Sequence, residues 1–184
     1  MKKFNFTLIL FVAFQWVNAQ ITIGDNVGTA TDKTSVLLEF KNNDARGLIL
    51  PSVTKLPQIP TQGTLLLDAT TKDNALIKLF SGNKWEVYSP SGDASKVIDN
   101  RLGAATNDNT DSKMIVGNAK SLADGVLVLE STTKAMVLPT VTDINSIVNP
   151  SPGMMVYYIK SSTEKYLSFY NGTNWAFWTY TPTN

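Results

Sequence analysis

Five large aromatic residues are the side chains of this sequence best suited to bind another molecule. Trp85 and Tyr88 lie near the middle of the chain, and Tyr170, Trp175 and Trp178 lie near its end. Such rings stack on sugars, and they also fill cores and protein interfaces. A tryptophan recurs at the same place in both halves, which favours packing in a core or interface. A glycan-stacking platform is the alternative interpretation.

Groups that could carry out catalysis are few. The 184 residues include no histidine and no cysteine. The commonest general base, the commonest metal ligand and the thiolate nucleophile are therefore missing. The acidic residues are scattered and do not recur between the two halves, and no Ser-x-x-Lys motif stands in a convincing context. We expect a protein that is not an enzyme and uses no cofactor.

Metal and nucleic-acid binding are also disfavoured. Asp108 and Asp111 offer oxygen ligands, but they lack the glycine and terminal glutamate of a calcium loop, so a solvated linker is the better interpretation. The 16 Lys and Arg balance 15 Asp and Glu, without a basic stripe that would bind nucleic acid. Asn171-Gly172-Thr173 matches a glycosylation sequon, but a tight turn explains the same residues.

The first 19 residues have the pattern of a secretory signal peptide. Lys2 and Lys3 precede an apolar run at 8–13, and Val17-Asn18-Ala19 offers small residues for cleavage before Gln20. The run is shorter than the roughly 20 apolar residues that span a bilayer. We expect an exported protein at the bacterial cell surface or outside the cell, with the periplasmic face of the outer membrane as the alternative.

The rest of the sequence contains an internal repeat. Leu50-Pro51-Ser52-Val53-Thr54 returns as Leu138-Pro139-Thr140-Val141-Thr142, and three further pairs keep a constant spacing of 90 residues. Those pairs are Gly63 and Gly153, Gly82 and Gly172, and Trp85 and Trp175. The sequence therefore predicts module 1 at 20–89, a polar linker at 90–113 and module 2 at 114–184.

Short strands dominate the pattern of each module. The predicted strands are 36–40, 47–50, 64–68, 76–81 and 84–88 in module 1, and 126–129, 135–138, 154–159, 166–170 and 174–178 in module 2. Gly82-Asn83 and Asn171-Gly172 predict tight hairpins. The expected register places Phe80 opposite Trp85. In module 2, Thr142 is expected to cap a single helical turn through residues 143–146.

Both faces of each predicted hairpin carry large apolar residues. Trp85 lies on one face of the first hairpin, while Ile77, Leu79 and Tyr88 lie on the other. A hairpin with one face in water alternates more cleanly between apolar and polar residues. We therefore expect one face to be covered by the rest of the module and the other by another copy or chain. The fold class predicted is mainly β, with two tandem hairpin-ended modules after a signal peptide.

The repeat resembles modules of secreted surface and tail-fibre-like proteins common in Bacteroidota. The resemblance rests on Ile23-Gly24, Leu37-Leu38-Glu39, Gly47-Leu48-Ile49-Leu50-Pro51, Pro150-Ser151-Pro152-Gly153 and Tyr170-Asn171-Gly172-Thr173-Asn174-Trp175. It covers nearly the whole chain after residue 19, in both modules. It implies a β-rich, non-enzymatic module that associates with itself.

These observations favour a secreted structural or adhesive component of the cell surface, fibre-like and self-associating. The expected partner is the protein itself, as a homotrimer. The first alternative is an accessory subunit held by an outer-membrane complex. The second is a carbohydrate-binding module that presents the five aromatic residues to a glycan.

Overall fold

The computed structural model describes residues 20–25, 27–95, 98, 113–123 and 125–178. The predicted signal peptide at 1–19 and the acidic pair Asp108 and Asp111 lie outside the described residues. The described chain is mainly β, as the sequence predicts. Its strands are β1 Ile21–Ile23, β2 Val36–Phe40, β3 Leu48–Ile49, β4 Ser52–Val53, β5 Leu65–Asp68, β6 Leu76–Phe80, β7 Trp85–Val87, β8 Met114–Val116, β9 Leu127–Leu129, β10 Ala135–Met136, β11 Thr140–Val141, β12 Met154–Ile159, β13 Lys165–Tyr170 and β14 Trp175–Trp178.

Each module contributes seven of these strands in the same order, β1–β7 and β8–β14. All ten predicted strands are present, with ends that differ by up to two residues. Strands β1, β4, β8 and β11 were not predicted. Each is two or three residues long and forms a parallel pair with a later strand of its own module.

Each module folds its chain into a parallel pair followed by a larger sheet. Strand β1 pairs with β2, and β8 pairs with β9 in the same way. The larger sheets run β4-β5-β6-β7 and β11-β12-β13-β14. In each of them the first pair is parallel and the other two are antiparallel.

Two strands cross from one module to the other. Strand β3 of module 1 pairs with β12 of module 2, with Leu48 opposite Met155. Strand β10 of module 2 pairs with β2 of module 1, with Met136 opposite Leu38. Backbone hydrogen bonds therefore join the modules in both directions.

The two hairpins have the predicted register. Phe80 lies opposite Trp85, and Tyr170 lies opposite Trp175. The ring centroids of these pairs are 5.3 Å and 5.4 Å apart. Gly82 has a φ of 108° and its counterpart in module 2 a φ of 104°, a backbone conformation that only glycine adopts without strain.

One hydrophobic core is shared by both modules. Leu67 and Ile77 of module 1 pack with Met155 and Phe169 of module 2, and all four are almost fully buried. The segment after module 1 contributes as well: Ala94 and Ile98 are buried in the same core. The sequence predicts that another copy of the module covers one apolar face of each hairpin. In the structure that copy is the other module of the same chain.

A smaller core lies on the opposite face of the module 2 sheet. Val141, Ile144, Ile147, Met154 and Val156 are its buried members. Within the described ranges, no helix has the length and hydropathy of a membrane-spanning segment.

The predicted helical turn in module 2 is present as a 3-10 helix at Ile144–Ser146, but its cap was wrongly assigned. Asp143 is the N-cap residue, and its Oδ1 accepts a hydrogen bond from the Asn145 N–H at 2.9 Å. The Thr142 hydroxyl instead donates to Asn43 Oδ1 of module 1, at 3.1 Å. A contact 99 residues away in the sequence decides the role of Thr142.

Candidate interaction surface

The five aromatic residues singled out from the sequence lie in three places. Trp85 is half-buried against Phe80 on module 1. Tyr170 and Trp175 are half-buried over the smaller core of module 2. The remaining two, Tyr88 and Trp178, lie near the contact between modules.

Tyr88 and Trp178 contact each other across the two modules. Tyr88 is half-buried against the shared core, and its ring centroid lies 5.9 Å from that of Trp178. Trp178, at the end of β14, is 45% exposed. The structure thus pairs these two rings and leaves Trp178 as the most accessible of the five. It does not gather the five rings into one platform.

A second aromatic group, which sequence reasoning missed, lies on the outer part of the module 2 sheet. Tyr158, Tyr166 and Phe177 form a triangle with ring centroids 5.6 Å to 6.0 Å apart. Phe177 is 49% exposed, while the two tyrosines are half-buried. The available signal was alternation: the three residues share one face of β12, β13 and β14, which their register brings together.

The same place on module 1 carries an ion pair. Asp68 corresponds to Tyr158 at the 90-residue spacing, and the Lys78 ammonium lies 2.6 Å from its carboxylate. Asp68 is only 7% exposed. Burial raises the pKa of Asp68, but hydrogen bonds from Lys78 and Thr70 outweigh burial and lower it overall. The exposed aromatic triangle is therefore a feature of module 2 alone.

Charged groups border the aromatic triangle. The Tyr166 hydroxyl donates to Glu164 Oε1 at 3.0 Å, and the Lys160 ammonium donates to the same oxygen at 3.1 Å. The bond to Glu164 raises the pKa of Tyr166, and the bond from Lys160 is the main cause of the lowered pKa of Glu164. An apolar centre with a polar border is the usual anatomy of a protein interface.

The hairpin turn of module 2 holds the chain that leaves module 1. Asn171 is 1% exposed, and its side-chain amide donates to the carbonyl oxygens of Pro90 and Ser91 at 3.1 Å and 3.0 Å. Its Oδ1 accepts from the N–H groups of Thr173 and Asn174. The sequon asparagine is therefore buried and fully bonded, as the turn interpretation requires.

The backbone of this turn is also tightly packed against the linker. A Cβ atom on Gly172 would overlap the Asp93 carbonyl, and one on Gly92 would overlap the backbone oxygen of Asn171. The Asp93 N–H donates to the Thr173 hydroxyl at 3.2 Å. The turn of module 2 and the start of the linker thus form one close contact.

The described residues contain no group of three or more His, Cys, Asp or Glu side chains placed to hold a metal ion. Among the described residues, the buried carboxylate of Glu39 accepts hydrogen bonds from groups in the segment 20–33 that precedes β2. The geometry is therefore that of module-to-module contacts. A function must rest on four features: the backbone edges, the shared core, the half-exposed rings, and the side chain of Asn171, which holds Pro90 and Ser91 and is called the clamp below.

Comparison with known proteins supports this description. A search of curated proteins and a search of solved structures each gave no match. A family model described as phage tail like trimerisation region matches residues 115–183. Module 2 is thus similar to a phage tail like trimerisation region over almost its whole length.

Proposed function

We propose that this protein is a non-enzymatic, fibre-like structural component that associates with itself as a homotrimer at the bacterial cell surface. The observation that carries the proposal is the exchange of strands β3 and β10 between modules, in a chain whose second module matches a trimerisation region. A module of this kind completes its sheets with strands of another module.

The size of the module supports the same conclusion. A unit of about 70 residues is close to the lower limit at which one hydrophobic core supports an independent fold. Here the largest core draws its buried residues from both modules. Repeats that complete each other in this way commonly form extended assemblies.

The mass of the protein in solution tests the proposed homotrimer. Purified residues 20–184 are studied by light scattering coupled to size exclusion. We expect about three times the mass of one chain, since closed symmetric assemblies are the usual outcome of self-association. A single-chain mass at every concentration would contradict the proposal.

Export is the second part of the proposal, and the signal peptide pattern at 1–19 supports it. The full chain, expressed in a bacterium with its natural leader, is expected to be cut between Ala19 and Gln20. Mass spectrometry of the envelope and medium fractions measures this. A chain that keeps residues 1–19 in the cytoplasm would contradict the surface role and leave the trimer untouched.

A further inference from the structure

The strand exchange between the modules uses only half of the edges that the repeat provides. Strand β10 occupies an edge of β2, and β3 occupies an edge of β12. The counterpart of β2 in module 2 is β9, and the counterpart of β12 in module 1 is β5. By the repeat, β9 and β5 have equivalent edges.

The edge of β9 is free in the described structure. Strand β9 pairs only with β8, whereas β2 lies between β1 and β10. Val126, just before β9, is 67% exposed, and Leu127 is 39% exposed. Apolar residues that are buried at this place in module 1, such as Leu38 at 2%, are therefore left uncovered in module 2.

Among the described residues, none pairs with the first half of the β5 edge either. Where β3 joins β12, the N–H of Leu50 in module 1 donates to the carbonyl of Gly153 in module 2 at 2.9 Å. Gly63, the counterpart of Gly153, has the same backbone conformation, with φ of 88° against 84°. A Cβ on Gly63 would meet nothing within 4 Å, while one on Gly153 would lie 3.5 Å from the Leu50 carbonyl oxygen.

Strand β3 has an unused side that fits the free edge of β9. Successive N–H groups of a strand point to opposite sides, so a bond from Leu50 to β12 turns the Ile49 N–H away from β12. Ile49 is 46% exposed. Its counterpart in module 2, Val137, directly follows β10 and donates to the Leu38 carbonyl at 2.8 Å. The Leu127 carbonyl is the equivalent acceptor on β9.

Strand β10 has an unused side that fits the free edge of β5. The N–H groups of Ala135 and Val137 point to β2, so the N–H of Leu138 points away from it. Leu138 is the counterpart of Leu50, and the equivalent acceptor is the Gly63 carbonyl. Both free edges and both strands that complement them therefore lie on this one chain.

We propose that a second copy of this chain binds head to tail, with its β3 on the free edge of β9 and its β5 against β10. The occupant is the same chain because this contact repeats, group for group, the one that already joins module 1 to module 2. This inference rests on the proposed self-association and identifies the strand edges through which the chains would bind each other. A head-to-tail contact closes into a ring when its rotation allows, and three chains in a ring form the homotrimer.

Disulfide formation between two single-cysteine variants tests the pairing directly, because the natural chain has no cysteine. Met136 lies opposite Leu38, so Leu48 of one chain is expected opposite Leu127 of the next. Paired strands are about 4.8 Å apart, within the range that a disulfide spans. Leu48→Cys mixed with Leu127→Cys should give a linked dimer under mild oxidation, and neither variant alone should.

Ile59→Cys is the matched control for this experiment, since Ile59 is 89% exposed and lies on neither edge. Mixed with Leu127→Cys, it is expected to give only background linkage. Equal linkage in the two mixtures would overturn the proposed pairing.

Ile49→Pro is the second test, because proline removes the N–H that the pairing requires and that β12 does not use. The mass in solution should fall to that of one chain, while the variant keeps the cooperative thermal unfolding of a folded protein. Ile59→Pro should keep the wild-type mass. If Ile49→Pro does not fold, the disulfide experiment alone tests whether β3 of one chain pairs with β9 of the next.

The outcomes separate this inference from the proposed function. A wild-type oligomer that survives Ile49→Pro and shows no specific linkage would overturn the edge pairing and leave self-association standing. A wild-type protein that is a single chain at all concentrations would overturn both.

Discussion

At the scale of single residues, the carboxylate of Glu39 fixes the start of module 1. Glu39 is fully buried, and its oxygens accept from the Lys33 ammonium at 2.5 Å and from the backbone N–H groups of Thr29 and Ala30 at 3.0 Å and 3.1 Å. The Gln20 side chain adds a further donor at 2.8 Å. One buried acceptor thus holds the loop between β1 and β2, a loop too polar to pack by apolar contacts.

Glu39 and Asp68 should make stability depend on pH. Burial raises the pKa of Glu39, but the bonds from Lys33 and the backbone outweigh it, so both carboxyl groups have lowered pKa values in the folded protein. Their stabilisation is therefore complete above the ordinary carboxyl pKa of about 4 and is lost as the pH falls through the lowered values. Urea unfolding at several pH values measures the decline.

A variant with both groups neutralised isolates this effect. Glu39→Gln combined with Asp68→Asn should lower the free energy of unfolding at neutral pH by about 3–5 kcal/mol, because each change removes the charge of a buried carboxylate that is paired with a partly exposed lysine. Its stability should also change less below pH 4 than that of the natural protein. The exposed carboxylate variant Asp73→Asn is the control and should follow the natural pH profile.

At the scale of elements, the two hairpins share a shape and differ in what their turns contact. Gly82 and Gly172 have nearly equal φ angles, and the flanking strands have the same register. The residue before the glycine is Ser81 in module 1, which is exposed, and Asn171 in module 2, which is buried. The side chain of Asn171 therefore makes the turn of module 2 a contact with the chain that leaves module 1, whereas the turn of module 1 faces solvent.

Asn171→Ala should therefore destabilise the protein far more than the equivalent change in module 1. It leaves the Pro90 and Ser91 carbonyls and two turn N–H groups without partners, at a cost of about 2–4 kcal/mol. Ser81→Ala should change stability by less than about 0.5 kcal/mol. Chemical denaturation of the two variants side by side measures the difference, and equal losses would show that the clamp contributes nothing.

At the scale of the whole molecule, the shared core should make the two modules unfold together. Phe169 of module 2 is 1% exposed and packs with Ile77 of module 1, which is 0% exposed. Strands β3 and β10 join the same two bodies through their backbones. Neither module can open without exposing the core of the other.

Two tryptophan variants give each module its own fluorescence signal. In residues 20–184, which lack Trp16, Trp85→Phe leaves the reporters in module 2, and Trp175→Phe combined with Trp178→Phe leaves the reporter in module 1. The two unfolding curves should coincide. Phe169→Ala should shift both curves together, by about 3–5 kcal/mol. A curve for module 1 that does not move would show that the modules are independent.

The sequence predicted most of the local structure because local structure follows from nearby residues. Alternating apolar residues marked ten strands, and glycine beside asparagine marked both hairpins and fixed their registers. Strands β1, β4, β8 and β11 were missed, since each is defined by its parallel pairing with a later strand and not by a pattern of its own. The sequence also did not predict the aromatic triangle, because Tyr158, Tyr166 and Phe177 lie on three different strands.

The sequence by itself determined the repeat, the strand-rich class and the tight turns, since each depends on spacing or on backbone conformation within a few residues. Only the tertiary structure decided which strands pair across modules and which edges stay free. Strands β3 and β10 are similar two-residue strands, yet β3 pairs antiparallel with β12 and β10 pairs parallel with β2. That choice depends on which backbone edges lie within hydrogen-bond distance after the shared core forms, and spacing along the chain does not record it.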